Sequence, residues 1–171
     1  MIDTCPIHYW AKETPEHIAV EAGSVCLSYR TLSRRVASLA QQLVREGFVP
    51  GDRLVVPAKG SLKSLLLAWA CLRAGVIFCP LNPAFPVAQQ LNLAKRLQAG
   101  RVCQTESDHH YPAELTPVSL DFMAEADVRE PPVLDSNQLC NTIFTSGSSG
   151  TPKAVLHRLG IIWPLPVARR R

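Results

Sequence analysis

The six cysteines of this chain form no C-x-x-C pair: Cys5, Cys26, Cys71, Cys79, Cys103 and Cys140 stand apart, most of them inside apolar runs. Such spacing argues against a zinc ribbon or a paired redox motif and fits small buried hydrophobes in a reducing cytosol. The histidines His8, His17, His109, His110 and His157 show no ligand spacing with those cysteines, so no metal site is predicted. The tandem His109-His110 reads as solvated loop. Aromatic residues make up only 6% of the chain, and the net charge of +4 arises from 18 basic and 14 acidic residues without a basic stripe interleaved with aromatics. A nucleic-acid groove needs both, so a nucleic-acid partner is excluded.

Targeting and membrane signals are also lacking. The N-terminus, MIDTCPIHYW, has neither a basic n-region nor an apolar h-region, which predicts no signal peptide. The most apolar stretch, residues 65–81, is interrupted by Arg73 and Gly75, and it falls short of the roughly 20 apolar residues that a spanning helix needs. A cytoplasmic protein without a membrane span is expected. No internal repeat is visible.

What the chain does have is apolar content: 47% of its 171 residues are hydrophobic, enough for one domain or a large piece of one. Three cycles of helix and short strand follow one another. Ser28 is an N-cap candidate for a helix with Leu32, Val36, Leu39, Ala40, Leu43 and Val44 on one face and Gly47 at its end. The run RLVVP at residues 53–57 is short and β-branched, as a buried strand would be. Ser61 caps a second helix that Gly75 ends, followed by a strand at residues 76–79; Pro86 at N1 opens a third, running to Gly100 and a strand at Val102 and Cys103. This alternation predicts an α/β fold with a helix-flanked, mostly parallel sheet. Between Gln104 and Asn137 the periodicity fades into an acidic, proline-punctuated connection.

The stretch TIFTSGSSGTPKAVLH, residues 142–157, places glycines, hydroxyls and one lysine between two apolar runs. It reads as a loop between two strands. Gly147 and Gly150 can turn successive backbone N–H groups toward one point and leave room for a phosphate. Thr145, Ser146, Ser148, Ser149 and Thr151 add hydroxyl donors, Lys153 adds a point charge, and Pro152 stiffens the approach. An ordinary Gly/Ser hairpin loop has the same composition. A Walker loop, G-x-x-x-x-G-K-[ST], is disfavoured because Gly147 and Gly150 are too close and Lys153 follows a proline.

The ten residues from Phe144 to Lys153, FTSGSSGTPK, closely resemble the phosphate-loop signature of the adenylate-forming superfamily, which includes acyl-CoA synthetases and nonribosomal-peptide adenylation domains. LSYRTL at residues 27–32, Gly51-Asp52-Arg53, and LRAGVIFCPLN at residues 72–82 resemble further elements of that family in the same order. Within it, His8-Tyr9-Trp10, LAWACL at residues 67–72 and PLNPAFP at residues 80–86 look most like the o-succinylbenzoate:CoA ligases of menaquinone biosynthesis.

The resemblance implies the beginning of the large N-terminal domain of these enzymes, incomplete here, over residues 1–157. It also implies an ATP-dependent acid:CoA ligase that binds a carboxylic acid, ATP with Mg²⁺, and coenzyme A. Thr145, Ser146, Ser148, Ser149, Thr151 and Lys153 would hold phosphate, with Gly147 and Gly150 shaping the loop. His157 follows as in the ligases, although a surface or core-edge histidine has the same spacing.

Residues 158–171 depart from the family pattern, and Gly160, Pro164 and Pro166 oppose the helix expected there. They read as a divergent tail, from truncation or a shifted frame, or as the end of a genuine short protein. Because later family motifs are missing, the chain is expected to be a truncated portion unable to complete the reaction alone, and no catalytic residue is assigned. A non-catalytic nucleotide-binding fragment, or a subunit needing a separately encoded remainder, is the alternative reading.

Overall fold

The computed structural model describes residues 5–105, 109–128, 134–145 and 152–162. In chain order its elements are α1 (Pro6–Glu13), β1 (Ile18–Ala22), β2 (Val25–Ser28), α2 (Tyr29–Arg45), β3 (Arg53–Pro57), α3 (Leu62–Ala74), β4 (Ile77–Leu81), α4 (Val87–Arg96), β5 (Arg101–Val102), β6 (Thr116–Pro117), β7 (Leu139–Thr145), β8 (Lys153–Arg158) and α5 (Leu159–Ile162). The β1–β2 pair is a separate antiparallel ribbon, and the other strands form a six-stranded sheet ordered β6-β5-β3-β4-β7-β8. Every neighbouring pair in that sheet is parallel except β7 and β8. The helix-flanked, mostly parallel sheet expected from the alternation is present.

Local chemistry explains the helix starts. Ser28 Oγ accepts the Thr31 N–H and Ser61 Oγ accepts the Ser64 N–H, each at 3.3 Å, satisfying donors that the first helical turn leaves unpaired. α3 ends where Gly75 enters the left-handed region (φ 73°), and a Cβ there would meet Pro50 at 3.0 Å. The Gly51 N–H donates to the Gly75 carbonyl at 2.9 Å, so the turns entering β3 and β4 brace each other.

Several boundaries differ from the sequence expectation. Pro86 is the N-cap of α4, with an extended ψ of 145°, rather than its first helical residue. The residue with positive φ after α4 is Gln98 (φ 53°), not Gly100. Val44 lies exposed while Ser33 and Ala37 are buried, so the inward stripe of α2 is turned from the expected one. The strand after Gly75 runs from Ile77 to Leu81, beyond residue 79. α1 and the β1–β2 ribbon were not anticipated, and one helical turn, α5, forms despite Gly160. The rest of the expected tail, residues 163–171, lies outside the described residues.

The sheet separates two apolar clusters because side chains alternate along its strands. On one side Leu54 and Val56 meet Leu39 and Leu43 of α2 and Leu67 of α3. On the other, Val55, Ile77, Cys79 and Leu81 pack on Leu93 and Ala94 of α4. Leu39 and Leu67 are fully buried, so truncating either to alanine should cost about 2–5 kcal/mol. The acidic connection docks on α2, where Arg34 pairs with Glu125 and Asp127, each at 3.3 Å, and Gln42 donates to the Asp121 carbonyl.

Candidate functional site

Because β7 runs parallel to β4, its last residue, Thr145, lies at the carboxyl end of the parallel strands. In open α/β sheets that is where ligands bind. β8 then returns antiparallel to β7, in a register running from Leu139↔Arg158 to Thr145↔Lys153 with an irregularity between Leu139 and Asn141. The expected loop between two strands is therefore a hairpin, closed by the pair Thr145 and Lys153. Thr145 Oγ1 donates to the Lys153 carbonyl at 3.5 Å, and both residues are exposed. Ser146, Gly147, Ser148, Ser149, Gly150 and Thr151 lie outside the described residues, so the structure positions Thr145 and Lys153 alone of the predicted phosphate contacts.

The strands beneath the hairpin are tied to the core by polar groups. Thr142 is fully buried and its Oγ1 accepts the Cys79 thiol at 3.6 Å. Burial pushes the Cys79 thiol up, as it does that of Cys140, whose Sγ donates to the His157 carbonyl at 3.4 Å. His157 is half-buried, and its Nδ1–H donates to Asn141 Oδ1 at 2.9 Å. Its observed role is thus to pin β8 to β7. Asn141 was missed in the sequence, where an isolated asparagine in an apolar run gives no sign of its cross-strand partner.

A crevice of about 650 Å³ opens at the same end of the sheet, lined by Val20 and Ala22 of the ribbon, Lys59, Ser61, Phe78 and Pro80 among others. A larger one, about 840 Å³, is lined by α2, α3 and residues 126–128 and includes no residue of the hairpin. His109 is bound into its loop: Gln104 accepts its N–H and donates to its carbonyl, both at 2.8 Å, and its Nε2 lies 3.1 Å from the Pro83 carbonyl. Among the described residues no group of His, Cys, Asp and Glu could hold a metal ion. A hydroxyl and an ammonium at the loop's mouth suit phosphate oxygens, so a divalent cation arriving with a nucleotide would be held chiefly by those oxygens.

Comparison with known proteins decides the family. The AMP-binding enzyme family matches residues 7–162. The chain belongs to the AMP-binding enzyme family. Among curated relatives, the hybrid PKS-NRPS synthetase apdA of Emericella nidulans is 33% identical over 151 residues, covering 85% of this chain and 4% of that protein. Phosphinothricin tripeptide synthetase PhsC of Streptomyces viridochromogenes is 30% identical over 155 residues, covering 85% and 14%. Among solved structures, an E. coli MenE variant with bound OSB-AMS has a TM-score of 0.76 at 25% identity, covering 90% of this chain and 34% of that one. The nonribosomal peptide synthetase FmoA3, in its α-methyl-L-serine-AMP bound form, has a TM-score of 0.77 at 25% identity, covering 90% and 17%. The chain thus spans only part of the proteins it resembles, and its fold matches the N-terminal part of adenylate-forming enzymes. No described helix is long and apolar enough to cross a membrane.

Proposed function

We propose that this chain supplies the phosphate-binding hairpin of an ATP-dependent enzyme that activates a carboxylic acid as its adenylate and passes it to coenzyme A. The observation that supports this reading is the pair Thr145 and Lys153 at the carboxyl end of the parallel strands, the first and last residues of the sequence TSGSSGTPK, in a chain of the AMP-binding family. ATP, when bound, supplies the α-phosphate that the acid's carboxylate attacks, with pyrophosphate leaving and Mg²⁺ offsetting part of its charge. The chain's own part is to hold and orient that leaving group. Thr145, Ser146, Ser148, Ser149 and Thr151 donate hydroxyl hydrogen bonds, and Gly147 and Gly150 let the backbone N–H groups approach. Lys153 places a full charge where negative charge grows.

The acid follows from the sequence resemblance to o-succinylbenzoate:CoA ligases, which would give o-succinylbenzoyl-CoA in menaquinone biosynthesis. A second reading, activation of an amino acid for nonribosomal peptide synthesis, is favoured by the curated relatives apdA and PhsC. The phosphate role is tested by ATP binding to the purified chain, with Lys153→Ala as the variant. Lys153 is exposed, so the fold should survive and ATP affinity should fall by about tenfold or more. Unchanged affinity would show that the hairpin does not bind phosphate. Pyrophosphate release with o-succinylbenzoate against a panel of amino acids, the missing part of a relative being supplied, separates the two substrates.

A further inference from the structure

The larger crevice, about 840 Å³, has a lining that phosphate chemistry leaves unexplained. Its volume falls within the range of small-molecule sites, about 300–1,000 Å³. α2 and α3 form two of its walls. The third is the connection at residues 126–128, where the Ala126 N–H donates to the Arg34 carbonyl at 3.1 Å and so holds that wall to α2. Ala37, Ala40, Val44, Ala74, Ala126 and Val128 give the crevice an apolar surface, with Val44 left 59% exposed.

Charge of both signs borders that surface. Arg73 is only 8% exposed, and its guanidinium reaches neutral groups: the Ser33 carbonyl and Oγ, each at 3.2 Å, and Cys5 Sγ at 3.7 Å. Among the described residues its Nε has no hydrogen-bond partner and no carboxylate pairs with it. Buried charges are ordinarily paired, because desolvation is costly without a counter-charge. Arg45 also lines the crevice, is exposed, and forms no ion pair among the described residues. Asp127 is the carboxylate of the lining. Its Oδ1 lies 3.3 Å from Arg34 and its side chain is 86% exposed, which leaves the carboxylate accessible to a further donor. α2 ends at Arg45 and α3 at Ala74, so both helices bring the negative ends of their dipoles to the crevice.

We propose that this crevice binds a free amino acid with an aliphatic side chain. The ligand's carboxylate meets Arg45 and lies in the field of the uncompensated Arg73. Its ammonium is held by Asp127 and the helix ends, and its side chain covers the alanine and valine wall. A simple anion would be opposed by Asp127 and two helix C-termini, and a simple cation by two arginines. A zwitterion satisfies both sets of groups at once. Because the crevice includes no residue of the hairpin, the proposal does not rest on the phosphate-binding reading.

The test titrates the purified 171-residue chain with L-leucine in the absence of nucleotide, by isothermal calorimetry. Saturable one-to-one binding is expected. Isocaproate, which is leucine without its ammonium, and isoamylamine, which is leucine without its carboxylate, should each bind about tenfold or more weakly, since each forfeits a charged hydrogen bond. Arg45→Gln should weaken leucine by about tenfold or more without weakening isoamylamine, and Asp127→Asn should weaken leucine without weakening isocaproate. Both residues are exposed, and circular dichroism reports whether each variant folds. Lys95→Gln, at an exposed position on α4, should leave leucine binding intact. Hydrogen exchange supplies an independent readout, in which the Ala126 amide should exchange more slowly with leucine bound. The proposal is overturned if leucine does not bind saturably, if either analogue matches it, if Arg45→Gln or Asp127→Asn leaves its affinity unchanged, or if Ala126 exchange does not slow.

Discussion

His157 and Asn141 face each other across β7 and β8, with Nδ1 of the imidazole 2.9 Å from Oδ1 of the amide. The pair lies two residue steps along the strands from Ile143 and Val155 and four from Thr145 and Lys153, so it sets the register in which the loop is delivered. Asn141→Ala should cost about 1 kcal/mol of stability, the net worth of one such hydrogen bond. Thermal unfolding measures that loss. ATP titration should show a weaker complex at a temperature where the variant is still folded. A variant that loses stability but keeps full ATP affinity would separate the register from phosphate binding.

Gly75 and Gly23 both have positive φ, 73° and 63°, but only Gly75 is crowded, with Pro50 3.0 Å from where a Cβ would lie. Gly23→Ala should therefore lose only the backbone preference, about 1 kcal/mol. Gly75→Ala adds a clash at the turn that braces β3 against β4, and it should lose about 1–3 kcal/mol or more. Urea denaturation of the two variants checks the order. An equal loss would mean that the Pro50 contact relaxes freely.

The end of α4 reverses the usual expectation for glycine. Gln98 has φ 53°, while Gly100 has no positive φ and open space, with nothing within 4 Å, where a Cβ would lie. Gln98→Gly should raise stability by about 1 kcal/mol, since glycine occupies the left-handed region without penalty. Gly100→Ala should be close to neutral. Melting temperatures of the two variants, moving in the opposite order, would contradict this account.

These contrasts show which parts of the fold were legible in the sequence. Ser28 and Ser61 announced α2 and α3 because their caps bind N–H groups three residues away, an interaction contained in the local chain. The β-branched run at β3 was legible because both its faces are buried. The β1–β2 ribbon was not, since its residues are mostly exposed or half-buried and carry no clear alternation. Nor was the strand order, because placing β5 beside β3 and β7 beside β4 depends on helices packing on both faces rather than on any local run. At the site, the family was legible as a ten-residue pattern. The cross-strand partners Asn141 and His157 were not, because sixteen residues separate them along the chain.

The six cysteines divide sharply by environment. Cys5, Cys71, Cys79, Cys103 and Cys140 are buried, and Cys26 on β2 is exposed. Burial pushes the Cys71 thiol well up and that of Cys103 to about 12. Since the thiolate is the reactive form, a maleimide at neutral pH should label one thiol quickly and the others only on unfolding. Mass spectrometry of the labelled peptides should find the fast adduct on Cys26, and Cys26→Ser should abolish it. Fast labelling of Cys79 would mean that the sheet opens between β4 and β7.

His8 makes the stability of α1 sensitive to acid. It is only 6% exposed, its Nε2 has no hydrogen-bond partner among the described residues, and Lys12 and Arg73 repel a second positive charge there. Burial, then Lys12, then Arg73 lower its pKa from the ordinary 6.5. The folded state therefore binds the proton less readily than the unfolded chain. The linkage sign follows: this contribution is complete above 6.5, declines as pH falls through 6.5, and levels off below the lowered folded value. Replacing the titrating ring should remove that slope, so the unfolding free energies of the wild type and of His8→Gln should converge as the solution is acidified from neutral to about pH 5. Arg73→Met removes a repelling charge but also the guanidinium's two 3.2 Å bonds to Ser33. It should lower stability at every pH while making the acid-dependent loss shallower, and parallel pH profiles for the wild type and His8→Gln would show that His8 is not the group responsible.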